Sequence, residues 1–285
     1  MSEVPEQESA PVLPLTRRER RAVAGASRSD LPKRALAVRP VSILATIAFA
    51  VLVALTGYAS PRFVALAVAL GGFVLAWGWP VLLGLPSPRG TTTVLSAGVA
   101  LSSAAVLLTS DEPYLKWMPA AMAVAVLAAF AHQLLRRDGR PRLTESIAST
   151  VAGLAIIASG AAFAPIPQYL YGEHGLAAAM AGLAVGVLAD PLISVPRLRQ
   201  WALFISMFAG GLAALLVALV AGEPTAGSGA LLGLLAAAIS HAARRVLAPL
   251  PAAPLPRAQL ASALAASLLV GVIAFSVVTS PVFSG

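Results

Sequence analysis

Cysteine is absent from the 285 residues. That removes disulfide cross-links, thiolate metal centres and cysteine nucleophiles from consideration. Charge is nearly as scarce, with Asp, Glu, Lys and Arg making up 11% of the chain, against about a quarter in ordinary soluble domains. With 58% hydrophobic residues and a mean hydropathy of +0.85, so few charges cannot cover the apolar surface of a water-soluble fold. A bilayer is the natural solvent.

Catalytic signatures are missing too. The chain has no Walker-type phosphate loop, no Gly-x-Ser-x-Gly elbow and no His-Glu-x-x-His pair, which excludes an ATPase motor, a serine hydrolase of that kind and a zincin. It has no acidic pair spaced for metal-assisted phosphotransfer between lipids. No cofactor is expected. No Asp, Glu, Lys, Arg or His falls at the centre of an apolar run, which argues against ion-coupled transport through a midplane carboxylate. Polar chemistry, if any, belongs at the membrane faces.

What the chain does contain is long apolar runs. A membrane helix needs roughly 20 mainly apolar residues, at about 1.5 Å per residue across about 30 Å of hydrocarbon. Nine segments qualify: 41–58, 63–83, 93–109, 118–135, 147–164, 175–193, 201–221, 230–246 and 260–278. Short separators marked by proline, glycine or charge divide them. No ten-residue alternating pattern of a barrel occurs, so the expected fold is all-α, a polytopic transmembrane helical bundle of about nine spans. Residues 1–40 read as a disordered basic tail, with Arg17, Arg18, Arg20 and Arg21 at its centre, and residues 41–285 as the membrane domain. The first apolar run lies too far from Arg17 and Arg18 for an export leader, and is expected to remain as a span.

The charges orient these spans. With the tail inside, the inner loops hold Arg89, Arg136, Arg137, Arg140, Arg142, Arg197, Arg199, Arg244, Arg245 and Arg257, and the outer loops only Arg62 and Lys116. Ten against two is the positive-inside asymmetry. Tyr58, Tyr114, Tyr169 and Tyr171 fall at the outer interface, and Trp77, Trp79 and Trp201 at the inner one. The N-terminus is therefore expected in the cytoplasm and the C-terminus outside, in a bacterial inner membrane. The formal charge of +8 is read as orientation, which excludes a nucleic-acid partner. The bilayer, other membrane subunits or a second copy of the chain are the expected partners.

Four groups of residues are candidates for function. Asp190, His132 and His241 lie near inner span ends, where they could converge as a proton or cation site. Equally, a histidine at a helix C-terminus is favoured by the dipole, and Asp190 can pair with Arg197 or Arg199. Arg136, Arg137, Arg140 and Arg142 surround one inner turn and could hold an anionic lipid headgroup. The plainer reading is anchoring, with Thr144 as N-cap and Glu145 at the positive helix end. Tyr169, Tyr171, Glu173 and His174 share one outer loop, as a small binding site or as interface anchors. Finally, Gly182 with Gly186, and Gly229 with Gly233, are small-residue faces for close helix approach, either between copies or within the bundle.

The basic tail, the Ala-rich spans and the HQLLRRDGRPR run at 132–142 resemble uncharacterised multi-spanning membrane proteins of high-GC actinobacteria over most of the chain. That resemblance implies a plasma-membrane location and brings no activity, substrate or site residue with it. The expected role is a permease-like or accessory subunit handling an apolar or lipid-like solute. The alternatives are a membrane-embedded enzyme acting on lipid at the cytoplasmic face, using Asp190, His132 and His241, and a scaffold recruiting partners through the tail. The orientation is directly testable: a reporter fused after Gly285 should read periplasmic, and one inserted at 136–142 cytoplasmic. The opposite pattern would overturn the assignment.

Overall fold

The structure, a computed structural model, describes residues 32–284 except Asp138 and Arg140. The arginine cluster of the tail at 17–21 lies outside the described residues. Among the described residues there is no strand, and nine helical segments are long and apolar enough to cross a membrane. The first eight are built on α1 (Pro40–Ala59), α2 (Pro61–Leu82), α3 (Pro88–Leu107), α4 (Met118–Leu135), α5 (Leu143–Ala161), α6 (Gly172–Gly186), α7 (Ala202–Ala221) and α8 (Ala226–Leu247). The ninth combines α9 (Pro256–Leu268) and α10 (Val270–Val278). The all-helical, nine-span expectation is met.

Several boundaries differ from the apolar runs, and proline is the reason. Pro88 and Pro256 look like separators in the sequence but are the first residues of α3 and α9. The first helical N–H has no intrahelical partner, so proline costs nothing there, and its fixed φ suits the helix. Pro40 and Pro61 open α1 and α2 in the same way. Ser60 alone separates those two helices, and its hydroxyl accepts from the Arg62 N–H at 3.3 Å.

The membrane unit also begins earlier than Val41. Lys33–Leu36 forms a 3-10 turn and Ala35 is fully buried. Three arginines tie this strap down through backbone carbonyls. Arg34 Nε donates to Pro249 at 2.9 Å, Arg39 to Ala248 at 2.6 Å, and Arg245 to Ala35 at 2.9 Å.

Side-chain contacts sort the helix ends into two sets. Arg257 at the start of α9 donates to the Trp77 carbonyl and stacks on its ring at 4.2 Å. Arg142 reaches the Gly84 carbonyl at 2.8 Å, and His132 reaches Ser87 at 3.2 Å. These contacts define a basic end. At the other, Tyr58 meets His174, and Tyr169 packs edge-on against Tyr114 and Phe275. This is the tyrosine end.

Burial places the ninth span at the centre, with 67% of its apolar window enclosed, and α4 at the periphery with 22%. Span nine breaks at Leu269, where α9 gives way to α10. In hydrocarbon the freed backbone groups need internal partners. Ser159 of α5 supplies them, donating to the Leu268 and Leu269 carbonyls at 3.0 Å and accepting from the Val272 N–H at 3.2 Å. Elsewhere in the spans Thr46, Ser102, Thr150 and Ser267 bond the carbonyl four residues back, so their hydroxyls enter the bilayer already satisfied.

The glycine faces are spent inside the bundle, at the junction of α6, α7 and α8. A Cβ on Gly182 would stand 2.3 Å from the Gly233 Cα, and one on Gly233 would stand 2.3 Å from the Ala214 Cβ. Backbone touches backbone here, and close packing is the main attraction between helices surrounded by lipid. Gly182→Ala should therefore push α6 and α8 apart and cost about 1–3 kcal/mol. Gly227→Ala, where an added Cβ meets nothing within 4 Å, should be neutral. Thermal unfolding of the two purified variants in detergent compares them.

Candidate functional site

The polar centre of the molecule is assembled two turns into the basic end. After Gly186, α6 tightens into the 3-10 segment Val187–Ser194, with Pro191 inside it. Proline lacks the N–H of an α-helical bond and crowds the carbonyl four residues earlier, and here the α-helix gives way to the 3-10 form. Asp190 is thereby turned toward α8, where Ser240, His241 and Arg244 share one face at helical spacing.

Arg244 grips Asp190 with two nitrogens, Nε to Oδ2 at 2.6 Å and a terminal nitrogen to Oδ1 at 3.2 Å. His241 Nδ1 lies 3.0 Å from the same Oδ1. With the carboxylate ionised against Arg244, Oδ1 can only accept, so Nδ1 carries the proton. Arg244 also donates to Ser240. The His241 and Arg244 side chains are 5% exposed and Asp190 18%, so water does little to screen the pair. His241 stands six residues before Leu247, the end of α8, about 9 Å along the axis. A small cleft of about 30 Å³ opens beside this triad, lined by Arg39, Ser42, Asp190, Arg244, Arg245 and Ser262.

The structure therefore brings Asp190 and His241 together, as the sequence allows, but His132 does not join them. It lies on α4 at the far side of the basic end, with Nε2 3.2 Å from the Ser87 hydroxyl, where α4 packs against α3. The partners expected for Asp190 also change. Arg199 bonds the Ile193 carbonyl at 3.1 Å instead, and Arg244 takes the carboxylate. Arg39, Arg244 and Arg245 were legible only as orienting charges. The signal available was the spacing of His241 and Arg244 on one face of α8.

The described members of the arginine turn have separate surroundings. Arg136 is buried and donates to Gln133 at 2.8 Å. Arg142 pairs with Glu145 and with the Gly84 carbonyl, while Arg137 stands exposed. Arg140 lies outside the described residues. The N-cap of α5 is Arg142, at φ 53°, rather than Thr144, and Glu145 sits in the first turn as expected.

The loop residues at the tyrosine end divide into two groups. Tyr169 packs edge-on against Tyr114 and Phe275, both at 5.7 Å. Burial first, then the Glu112 carboxylate and Tyr114, push its phenol above the usual tyrosine range. Tyr171 opens α6 at φ 57°. His174 Nδ1 meets the Tyr58 hydroxyl at 3.2 Å, and its Nε2 is 3.9 Å from Glu173. Below the Tyr58–His174 pair, a groove of about 430 Å³ runs between α1, α6 and α7, walled by Leu216, Val217, Val220 and Ala221. No cluster of three His, Asp or Glu that could hold a metal ion is found among the described residues.

Comparison with protein families, curated proteins and solved structures finds no match to this chain.

The triad has a measurable energetic signature. Asp190→Ala should cost about 3–5 kcal/mol, because it leaves Arg244 buried and unpaired. Adding Arg244→Ala should recover part of that loss. Unfolding of the single and double variants in detergent measures the coupling, and strictly additive losses would disprove it.

Proposed function

We propose that this chain is a multi-pass subunit of a bacterial inner membrane, N-terminus in the cytoplasm, that handles a lipid-like solute without chemistry of its own. The observation carrying this reading is the groove at the tyrosine end. Its volume of about 430 Å³ is within the roughly 300–1,000 Å³ of small-molecule sites. Its walls are aliphatic, and its mouth is closed by the polar Tyr58–His174 pair. Such a groove suits an amphiphile, whose chain lies along the wall while its polar part meets the hydroxyl and imidazole at the interface. It lies on the outside of the bundle, with Leu216 and Val220 strongly exposed. A solute dissolved in the bilayer can therefore enter sideways without crossing water.

Two further features favour handling over catalysis. Among the described residues the ionisable groups of the spans stay within about two turns of the helix ends, so no charged path runs through the middle. The most polar cluster, Asp190–His241–Arg244, spends its carboxylate on an internal ion pair, leaving it poorly placed as an acid–base catalyst.

The test is flux. Protein reconstituted into phosphatidylcholine vesicles with a chain-labelled fluorescent lipid should accelerate its exchange between leaflets, read by external quenching. Val217→Trp should fill the groove. A clash of about 1–3 kcal/mol lowers occupancy by roughly tenfold or more, and flux should fall with it. Unchanged flux in a folded Val217→Trp protein would refute the groove as the path.

A further inference from the structure

The basic end contains an imbalance that the ion pair does not resolve. Three guanidiniums, of Arg39, Arg244 and Arg245, line one cleft that holds a single carboxylate, Asp190. Both oxygens of that carboxylate are engaged, by Arg244 and His241. Arg39 and Arg245 are partly buried, and neither has an ion-pair partner among the described residues. Each is held only by carbonyl oxygens. Arg39 donates to Arg34 and Ala248, and Arg245 to Ala35. These bonds position the side chains, and the one carboxylate that attracts both across the cleft, Asp190, is already bonded to Arg244 and His241. The Nε of Arg39 is completely shielded from solvent and has no hydrogen-bond partner at all. A buried charge-bearing donor without an acceptor is costly, so one left in place points to an acceptor that comes from outside the chain.

The rest of the lining shows what kind of acceptor fits. Ser42 adds a hydroxyl from the first turn of α1 and Ser262 one from the second turn of α9, and the positive end of the α1 dipole faces the same space. The lining is thus rich in donors and carries surplus positive charge. With about 30 Å³ of room, it holds a compact group and not the body of a lipid. Arg39 immediately precedes α1 and Arg245 lies in the last turn of α8, so the cleft sits at the level of the headgroups.

We propose that the cleft between Arg39, Arg245 and Asp190 is a binding site for a phosphate-class oxyanion, either the headgroup of an anionic phospholipid or free phosphate. The anion is neutralised jointly by the Arg39 and Arg245 guanidiniums that line the cleft. The Asp190–Arg244 pair acts as the rigid wall that holds the α8 side of the cleft in place. This rests on the reading of the chain as a handler of amphiphiles, naming the headgroup chemistry, yet it concerns binding at the opposite end from the groove. Binding without flux would sink the transport reading alone, and flux without binding would sink this one alone.

The experiment uses the full chain purified in a neutral maltoside detergent, with ligand-induced thermal stabilisation as the readout. Three probes are titrated separately: dihexanoyl phosphatidic acid, inorganic phosphate, and dihexanoyl phosphatidylcholine as the zwitterionic control. Saturable stabilisation by phosphatidic acid but not by phosphate assigns the lipid headgroup. Equal affinity for both assigns free phosphate. Arg39→Gln removes the charge and Arg39→Lys keeps it while deleting the planar guanidinium; each should weaken binding by about tenfold or more, because the fork geometry suits a phosphate and a point charge does not replace it. Should Arg39→Gln fail to fold, Arg39→Lys and the cleft-filling Ser262→Leu carry the test. No stabilisation by either anionic probe, equal stabilisation by phosphatidylcholine, or undiminished binding in Arg39→Lys and Ser262→Leu would overturn the proposal.

Discussion

Hydrocarbon offers no hydrogen bonds, and every feature of this fold answers to that constraint. A polar group that enters the bilayer must carry its partner with it, or several kcal/mol are lost. Helices meet the requirement for the backbone by themselves. Where one breaks, at Leu269, the hydroxyl of Ser159 takes over from the missing helical bonds. Serines and threonines fold back on their own helices. Asp190, the partly buried carboxylate among the described residues of the basic end, goes in with a guanidinium and an imidazole already attached. Among the described residues four buried side-chain atoms break that rule, Thr91 Oγ1, Ser146 Oγ, Gln259 Oε1 and Arg39 Nε, and of these only Arg39 Nε belongs to a charged group.

The same constraint separates the two ends of the molecule chemically. Polar side chains collect where the helices stop, and each end has its own character. The tyrosine end is built from aromatic edges and weak, partly exposed contacts. The basic end is built from guanidiniums fixed to carbonyl oxygens. An amphiphile meets a soft, apolar groove on one side and a hard, charged recess on the other. Between them lies a packed interior in which Gly182 and Gly233 bring helices into backbone contact.

Much of this was legible in the chain. Apolar runs of 17–21 residues mark the spans, because length and hydropathy are local properties. The glycine pairs on α6 and α8 were legible as packing faces, although nothing in their spacing says whether the partner helix is internal. The misplaced boundaries at Pro88 and Pro256 arose because proline marks both the end of one helix and the start of another. The site was half legible. Asp190 and His241 could be singled out as ionisable residues in apolar surroundings. Their separation from His132 could not be read, because which helices become neighbours is decided by packing in three dimensions. Arg39 and Arg245 were hidden for a different reason. In a membrane protein nearly every inner loop carries arginine for orientation, and a binding arginine looks the same in the sequence as an anchoring one.

The strap before α1 carries a consequence for how the protein is made. Arg39 and Arg34 find their carbonyl partners at Ala248 and Pro249, 209 and 215 residues further along the chain. At synthesis rates of about 5–20 residues per second, those partners emerge roughly 10–40 s after the arginines. Through that interval the first helix sits in the membrane with its basic entry residues facing headgroups and water, unclasped. The bundle is thus sewn shut from its beginning to near its end, late, by the eighth helix. Until that helix arrives, those arginines lack the carbonyl oxygens that fix them in the finished fold.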